Sequence, residues 1–123
     1  MDFNKYTQKS LEAVQSCQSL AVEYGNQEIG QVHLLYALLN KEDSLIVRLM
    51  DKMNINTAGF VFQTEKLLEG RVKVQGGQQY MSQSLSRTFT QAEQEARQMG
   101  DEYVSVEHLF LALLETADKE LKG

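Results

Sequence analysis

Two histidines are the residues of this sequence best suited to chemistry. His33 and His108 are its only two histidines, and each begins a leucine-rich run, His-Leu-Leu in the first case and His-Leu-Phe in the second. A repeated imidazole could bind Zn²⁺, which takes His, Cys and carboxylate ligands. Neither histidine, however, has a further ligand repeated beside it in both places. We therefore predict that both pack, or hydrogen-bond at a helix start, as neutral imidazoles.

Two carboxylates and one thiol are the other side chains that could take part in catalysis. Asp101 and Glu107 could act as a general acid and base, but such a pair needs a pocket and unequal pKa values, neither of which the sequence shows. Cys17 falls on the apolar face of a predicted helix, with nothing nearby to lower the pKa of its thiol, so we predict a buried core residue. A small metal-dependent enzyme using the histidines and carboxylates is the remote alternative.

The two histidines lie in an internal repeat. Stretches that begin at Gly25 and Gly100 align without a gap at an offset of 75 residues (100 minus 25). Identical pairs in this alignment are Gly25/Gly100, His33/His108, Leu34/Leu109, Ala37/Ala112, Leu38/Leu113, Leu39/Leu114 and Asp43/Asp118. A repeat of this kind predicts two similar structural units with a shared core. The copies differ at Val32 against Glu107 and at Gly30 against Ser105, where we expect binding.

Helical periodicity accounts for most of each unit. The chain has no proline and eight glycines, and apolar residues recur at steps of three or four. We predict four helices in the first unit: one capped by Thr7 and Gly25, one from about Gln31, one from about Ser44, and one from Asn56 to Gly70. The second unit restarts near Ser82 or Ser84, with an apolar stripe at Leu85, Phe89, Ala92, Ala96 and Met99. Gly100 ends that helix, and Ser105 caps the next.

The repeat also divides the chain. We predict a first unit at 1–70, a connector at 71–81 without helical period, and a second unit at 82–123, together forming one domain. Counterparts of the third and fourth helices would fall beyond about Lys119. We therefore expect an incomplete second unit, within a domain of about 145 to 150 residues.

Composition narrows the functional classes. A net charge of −5 and a pI near 5.0 argue against a nucleic-acid-binding surface, which needs clustered Lys and Arg. No apolar run approaches the roughly 18 to 20 residues of a membrane span, and no signal peptide is apparent at the start. We expect a cytoplasmic protein with no nucleic-acid or membrane partner.

The doubled pattern Gly-x-x-x-Ile/Val-x-x-x-His-Leu-Leu/Phe-x-Ala-Leu-Leu resembles the Clp N domain (Clp repeat) of Clp-type AAA+ unfoldases. Within that family, the opening Met-Asp-Phe-Asn-Lys-Tyr-Thr and the later Gly-Asp-Glu-Tyr-Val-Ser-Val-Glu-His-Leu are most similar to the ClpB disaggregase branch. The resemblance implies an all-α, pseudo-twofold bundle of eight helices without an active site. It implies capture of unfolded or aggregated polypeptide, or of an adaptor protein, for a homohexameric motor that uses ATP and Mg²⁺. The ATPase modules would lie outside this sequence, and the isolated domain would be monomeric, with no cofactor or metal of its own.

The resemblance also suggests where a ligand would bind. Carried over by position, Thr7, Asp101 and Glu107 form the polar rim of an apolar groove, and Phe89 and Tyr103 contribute apolar surface. The alternative is the N domain of a Clp protease ATPase of the ClpC or ClpA type, which docks adaptors. Many of those relatives have Glu before both repeated histidines, an acidic pair associated with phosphorylated arginine. Val32 occupies the first of these positions here, which favours the disaggregase branch.

Overall fold

The computed structural model describes residues 3–40, 45–74 and 78–117. Over these residues it contains six α-helices, a 3₁₀ turn at Phe3–Lys5 and two short strands. In chain order they are α1 (Gln8–Glu23), β1 (Glu28–Ile29), α2 (Gln31–Leu39), α3 (Leu45–Lys52), α4 (Thr57–Glu69), β2 (Tyr80–Met81), α5 (Gln83–Gln98) and α6 (Val106–Thr116). The predicted helical class is confirmed. Any counterparts of α3 and α4 in the second unit lie outside the described residues, as do residues 75–77 of the connector.

Polar caps begin the helices where the sequence predicted them. The side chains of Thr7, Asn56 and Ser82 each accept a hydrogen bond from the backbone N–H three residues later, at 3.1 to 3.2 Å. These bonds satisfy donors that the first helical turn leaves unpaired. Just after α1 and α5, Gly25 and Gly100 adopt φ angles of 70° and 73°, in the left-handed region that favours glycine.

The two units hold each other through short parallel pairings. β1 pairs with β2, placing Ile29 opposite Met81, and an isolated parallel bridge joins Tyr6 to Val104. The second pairing matches the first at the offset of 75, with the two partners exchanged between units. Flanking hydrogen bonds follow the same rule, because Thr7 N–H donates to Val104 O and Ser82 N–H to Ile29 O, both at 2.9 Å. In each unit, the residues just before the first helix therefore pair with the loop that follows the first helix of the other unit.

The core lies around α2 and α6. All nine residues of α2 are buried, while α1 packs on α2 and α5 packs on α6. Burial of Cys17 in this core raises the pKa of its thiol to about 12, which confirms the predicted core role. Phe89 is also fully buried, with its ring edge-on to Phe3 at a centroid distance of 5.9 Å.

One helix face differs between the units. In the first unit, Val32 and Tyr36 of α2 pack with Leu68 of α4 in a separate small cluster. The positions on α6 equivalent to Val32 and Tyr36 are Glu107 and Leu111. No element among the described residues covers them, or the neighbouring Leu114, as α4 covers α2. The prediction that Leu114 is a core residue is therefore wrong, since 62% of it is exposed. Met99, predicted in the apolar stripe of α5, is likewise 54% exposed.

Candidate functional site

The candidate site is built on the second loop, defined here as residues 99–105. Its equivalent in the first unit, residues 24–30, is called the first loop. After the left-handed turn at Gly100, Asp101 N–H donates to Ala96 O at 2.8 Å and closes the end of α5. Val104 is then fixed between two strand-like bonds, donating to Lys5 O at 2.7 Å and accepting from Thr7 N–H at 2.9 Å. Both ends of the loop are thus anchored, and its middle lies at the surface.

His108 ties this loop to the first turn of α6. Its Nδ1 accepts the Ser105 N–H at 2.9 Å, which assigns the proton to Nε2, and Nε2 donates to Asp101 Oδ2 at 2.9 Å. His33 is bound in the same way, through Gly30 N–H at 2.9 Å and Asn26 Oδ1 at 3.0 Å. Hydrogen bonding of both histidines at a helix start is therefore confirmed.

The partners of the two histidines differ in charge and exposure. Asn26 is buried, and its side chain is a neutral amide. The side chain of Asp101 is a carboxylate and is 51% exposed. Burial lowers the pKa of His33 to about 4, with a further contribution from the positive charge of Arg71. Both ring nitrogens of each histidine are already used inside the protein. In the described ranges, no group of three or more His, Cys, Asp or Glu could hold a metal ion.

A shallow depression of about 410 Å³ opens on the α6 side of the second loop. Its apolar lining is partly exposed: Met99 at 54%, Tyr103 at 49% and Leu111 at 38%. Asp101, Glu102 and Glu107 supply carboxylates around the same depression. Leu114, one helical turn beyond Leu111, extends the apolar surface. The arrangement offers apolar area beside acceptors, which suits binding of a polypeptide.

The structure brings together only some of the predicted site residues. Asp101, Tyr103 and Glu107 lie around one depression. Thr7 contacts the loop through its backbone, since its N–H binds Val104 O while its hydroxyl caps α1. Phe89 is fully buried, so the expectation that it contacts a ligand does not fit this structure. Its ring packs instead against that of Tyr6, with the two ring centroids 6.4 Å apart.

Sequence reasoning missed the exposed apolar residues of this surface, Met99, Leu111 and Leu114. Their helical spacing predicts that they lie on the buried faces of their helices. The offset of 75 aligns them with Tyr24, Tyr36 and Leu39. The offset of 75 places the counterpart of α4 outside the described residues. Periodicity alone therefore does not tell which apolar positions on that face of α6 are exposed in the described part of the chain.

Within the described ranges, none of the helices combines the length and apolar character needed to cross a membrane.

A family model and the most similar curated proteins point to the same protein family. The family described as Clp repeat (R) N-terminal domain matches residues 5–122. The chaperone protein ClpB of Nitratidesulfovibrio vulgaris is 39% identical over all of this chain and 15% of its own length. ClpB of Bacillus cereus is 40% identical over 94% of this chain and 14% of its own. The chain thus spans a small part of these relatives.

Solved structures share the fold at lower identity. The Hsp104 N-terminal domain from Candida albicans matches with a TM-score of 0.85 and 20% identity, over 91% of this chain and 75% of that one. The N-terminal domain of the ClpV1 ATPase from E. coli matches with a TM-score of 0.84 and 21% identity, over 92% and 69%. These two likenesses concern the fold alone.

Proposed function

The chain belongs to the Clp repeat N-terminal domain family, and from this premise we propose that it captures unfolded or aggregated polypeptide for a ClpB-type AAA+ motor. The carrying observation is the depression beside the second loop, where Met99, Tyr103 and Leu111 are partly exposed next to Asp101 and Glu107. The chain contributes binding and no catalytic step.

The physical basis of capture is burial of apolar surface with polar groups at its edge. Covering apolar area stabilises a complex by roughly 25 cal/mol per Å², less the free energy of ordering the ligand. A shallow surface of this kind covers little area, so affinity is weak and depends little on sequence. Such binding suits a domain that passes many different unfolded chains onward.

The His108–Asp101 bond decides which variants test this proposal cleanly. Replacing Asp101 by Ala would free His108 Nε2 and disturb the loop. Asp101→Asn keeps an acceptor for that bond, as Asn26 does for His33, and removes only the charge. Glu107→Gln is the matching change at an exposed position in the first turn of α6.

The test measures capture of a fluorescently labelled, permanently unfolded protein by anisotropy. We expect Asp101→Asn and Glu107→Gln to weaken capture several-fold, and Tyr103→Ala to weaken it further, with little change in the urea unfolding curve. Glu69→Gln, at the end of α4, is the matched control for loss of one negative charge. Unchanged capture in all three site variants would overturn the proposal.

Adaptor docking by a Clp protease ATPase is the alternative use of the same surface. The residue equivalent to Glu107 in the first unit is Val32, which is fully buried. The first unit therefore presents no acidic side chain at that position. The curated relatives named above are ClpB chaperones, which favours the disaggregase branch. We propose that the parent is a cytoplasmic homohexamer that requires ATP and Mg²⁺. A parent that delivered substrates to a peptidase would instead support the alternative.

A further inference from the structure

His33 joins three parts of the first unit: the start of α2, the first loop and the connector. Its Nδ1 accepts the Gly30 N–H at 2.9 Å, and its Nε2 donates to Asn26 Oδ1 at 3.0 Å. Asn26 in turn donates from Nδ2 to Val72 O of the connector at 3.1 Å. The ring of His33 is fully buried. Because water does not reach the ring, these neighbours must accommodate any proton that is added to it.

The connector also places a positive charge next to this site. The guanidinium of Arg71 donates to Glu28 Oε1 at 2.9 Å, and the Arg71 side chain is 12% exposed. Its two terminal nitrogens lie 3.1 and 3.2 Å from the place that a Cβ on Gly30 would occupy. Arg71 therefore packs on the residue whose N–H binds His33.

Few contacts attach the connector to the first loop. Besides the bond from Asn26, Val74 N–H donates to Gly25 O at 2.8 Å and Lys73 Nζ donates to Tyr24 O at 3.0 Å. The valine side chains add little, since Val72 is 80% exposed and Val74 is 43% exposed. A segment held by a few polar contacts can open without unfolding of the helices around it.

We propose that protonation of His33 releases residues 71–74 of the connector from the first loop, which gives the first unit a switch that opens in mild acid. A protonated imidazole carries N–H at both nitrogens, so Nδ1 can no longer accept the Gly30 N–H and points a donor at a donor. Its positive charge also repels the guanidinium of Arg71. Release of the connector relieves both effects, because it removes Arg71 and lets water reach the ring.

The other charged groups on the elements around α2 have different partners. Carboxylates of α1 and α4 act on Tyr24 and Tyr36 instead: Glu23, Glu65 and Glu69. On α3, Asp51 accepts a hydrogen bond from the Thr57 hydroxyl. The polar contacts that the start of α2 makes with α5 and α6 join neutral groups, those of Gln31, Thr88 and Thr116. Glu28 of β1 is held by Arg71. Protonated His33 therefore faces a guanidinium rather than a free carboxylate.

The linkage between protonation and release gives the size of the effect. Burial, and then the charge of Arg71, lower the pKa of His33 to about 4 while the connector is attached. Access of water returns the pKa towards about 6.5, so the released state binds more protons and is favoured as the pH falls. From pH 7 to pH 5 its population should rise about 20-fold if the whole shift is relieved, and about 5-fold if two-thirds of it is.

Hydrogen exchange of single amides, followed by NMR on the full chain, tests this switch. The Val74 N–H, which donates to Gly25 O, reports release of the connector. The Phe89 N–H, in the middle of α5, reports opening of the whole bundle. Protection factors at pH 7 and pH 5 remove the intrinsic pH dependence of exchange. In the wild type, opening at Val74 should rise at least about 5-fold and stay about 10-fold more frequent than opening at Phe89.

Three variants assign the effect. His33→Gln has no titrating group at this position, so opening at Val74 should change less than about 2-fold between the two pH values. Arg71→Gln removes the charge but keeps a donor for Glu28, and its change should be smaller than that of the wild type. Lys73→Gln is the matched control, because it removes a connector charge that is bonded to Tyr24 O. It should keep the pH dependence of the wild type.

A titration of the wild type supplies a check that needs no variant. The NMR signals of residues 71–74 should move with the same midpoint as the ring of His33, near pH 4. Different midpoints, or equal pH dependence in the wild type and His33→Gln, would overturn the inference. So would equal behaviour of Arg71→Gln and Lys73→Gln. Opening at Val74 no more frequent than at Phe89 would overturn it as well, because acid would then act on the bundle as a whole.

Discussion

Asp101 accepts a 2.9 Å hydrogen bond from Nε2 of His108, and this contact joins an exposed loop to the first turn of α6. The first unit makes the same contact between Asn26 and His33. The repeated histidines are therefore structural in both units. What distinguishes the second unit is that the partner carries a charge at the surface, beside partly exposed apolar residues.

Loss of either histidine should destabilise the fold, but to different extents. His33→Ala leaves Asn26 Oδ1 and the Gly30 N–H without their hydrogen-bond partner in a buried site, so we expect the free energy of unfolding to fall by about 3 kcal/mol. His108→Ala should cost about 1 to 2 kcal/mol, because Asp101 is half-exposed and water can replace the lost bond. Urea titration measures both values. Equal losses would contradict the difference in burial.

Stability should decline in mild acid because of His33. Its pKa is about 4 in the folded protein and about 6.5 in the unfolded chain, so the unfolded state binds more protons between these values. The contribution of neutral His33 is fully present above pH 6.5 and is lost as the pH falls towards 4. It amounts to about 2 kcal/mol between pH 7 and pH 5.

Urea unfolding of the wild type and of His33→Gln at pH 7 and pH 5 checks this expectation. The variant has no group that titrates at residue 33, so its stability should fall less over this interval. Carboxylates titrate alike in both proteins and cancel in the comparison. Equal pH dependence in the two proteins would show that His33 does not carry the effect.

Two neighbouring leucines of α6 should respond differently to truncation. Leu113 is 2% exposed and Leu114 is 62% exposed. Leu113→Ala should lower the free energy of unfolding by about 3 kcal/mol, and Leu114→Ala by less than about 1 kcal/mol. Chemical denaturation compares them directly. A large loss for Leu114→Ala would mean that this face of α6 is covered in solution.

Thr7 should act first as a helix cap. Thr7→Ala removes the acceptor for Ser10 N–H and should cost about 1 kcal/mol, whereas Thr7→Ser keeps the hydroxyl and should cost little. Ser82→Ala is the matched control at the start of α5, with a similar expected loss. Thermal unfolding gives all three values. If Thr7→Ala leaves the melting curve unchanged, its hydroxyl does not stabilise α1.

Helices and their caps could be predicted from the sequence because both signals are local. Apolar spacing indicated the helices, and polar residues at Thr7, Asn56 and Ser82 marked where three of them begin. The pairings of β1 with β2 and of Tyr6 with Val104 could not be predicted, because one or two paired residues leave no periodic pattern. They depend instead on how the two units meet.

The candidate site was predicted less completely than the fold. Asp101, Tyr103 and Glu107 were expected there and lie around one depression. Phe89 was expected to contact a ligand but is buried, and Leu114 was expected in the core but is exposed. Periodicity identifies an apolar face of a helix but not what covers that face. Phe89 faces the centre of the bundle, while Leu114 lies on a face left open in the described second unit.

The most direct test of the central claim is a ¹H–¹⁵N NMR titration of the full chain with a permanently unfolded client protein. We predict shifts concentrated on residues 99–107 and on Leu111, with smaller ones at Leu114. Shifts restricted to connector residues 71–74 and 78–81, or to α3 and α4, would contradict the account.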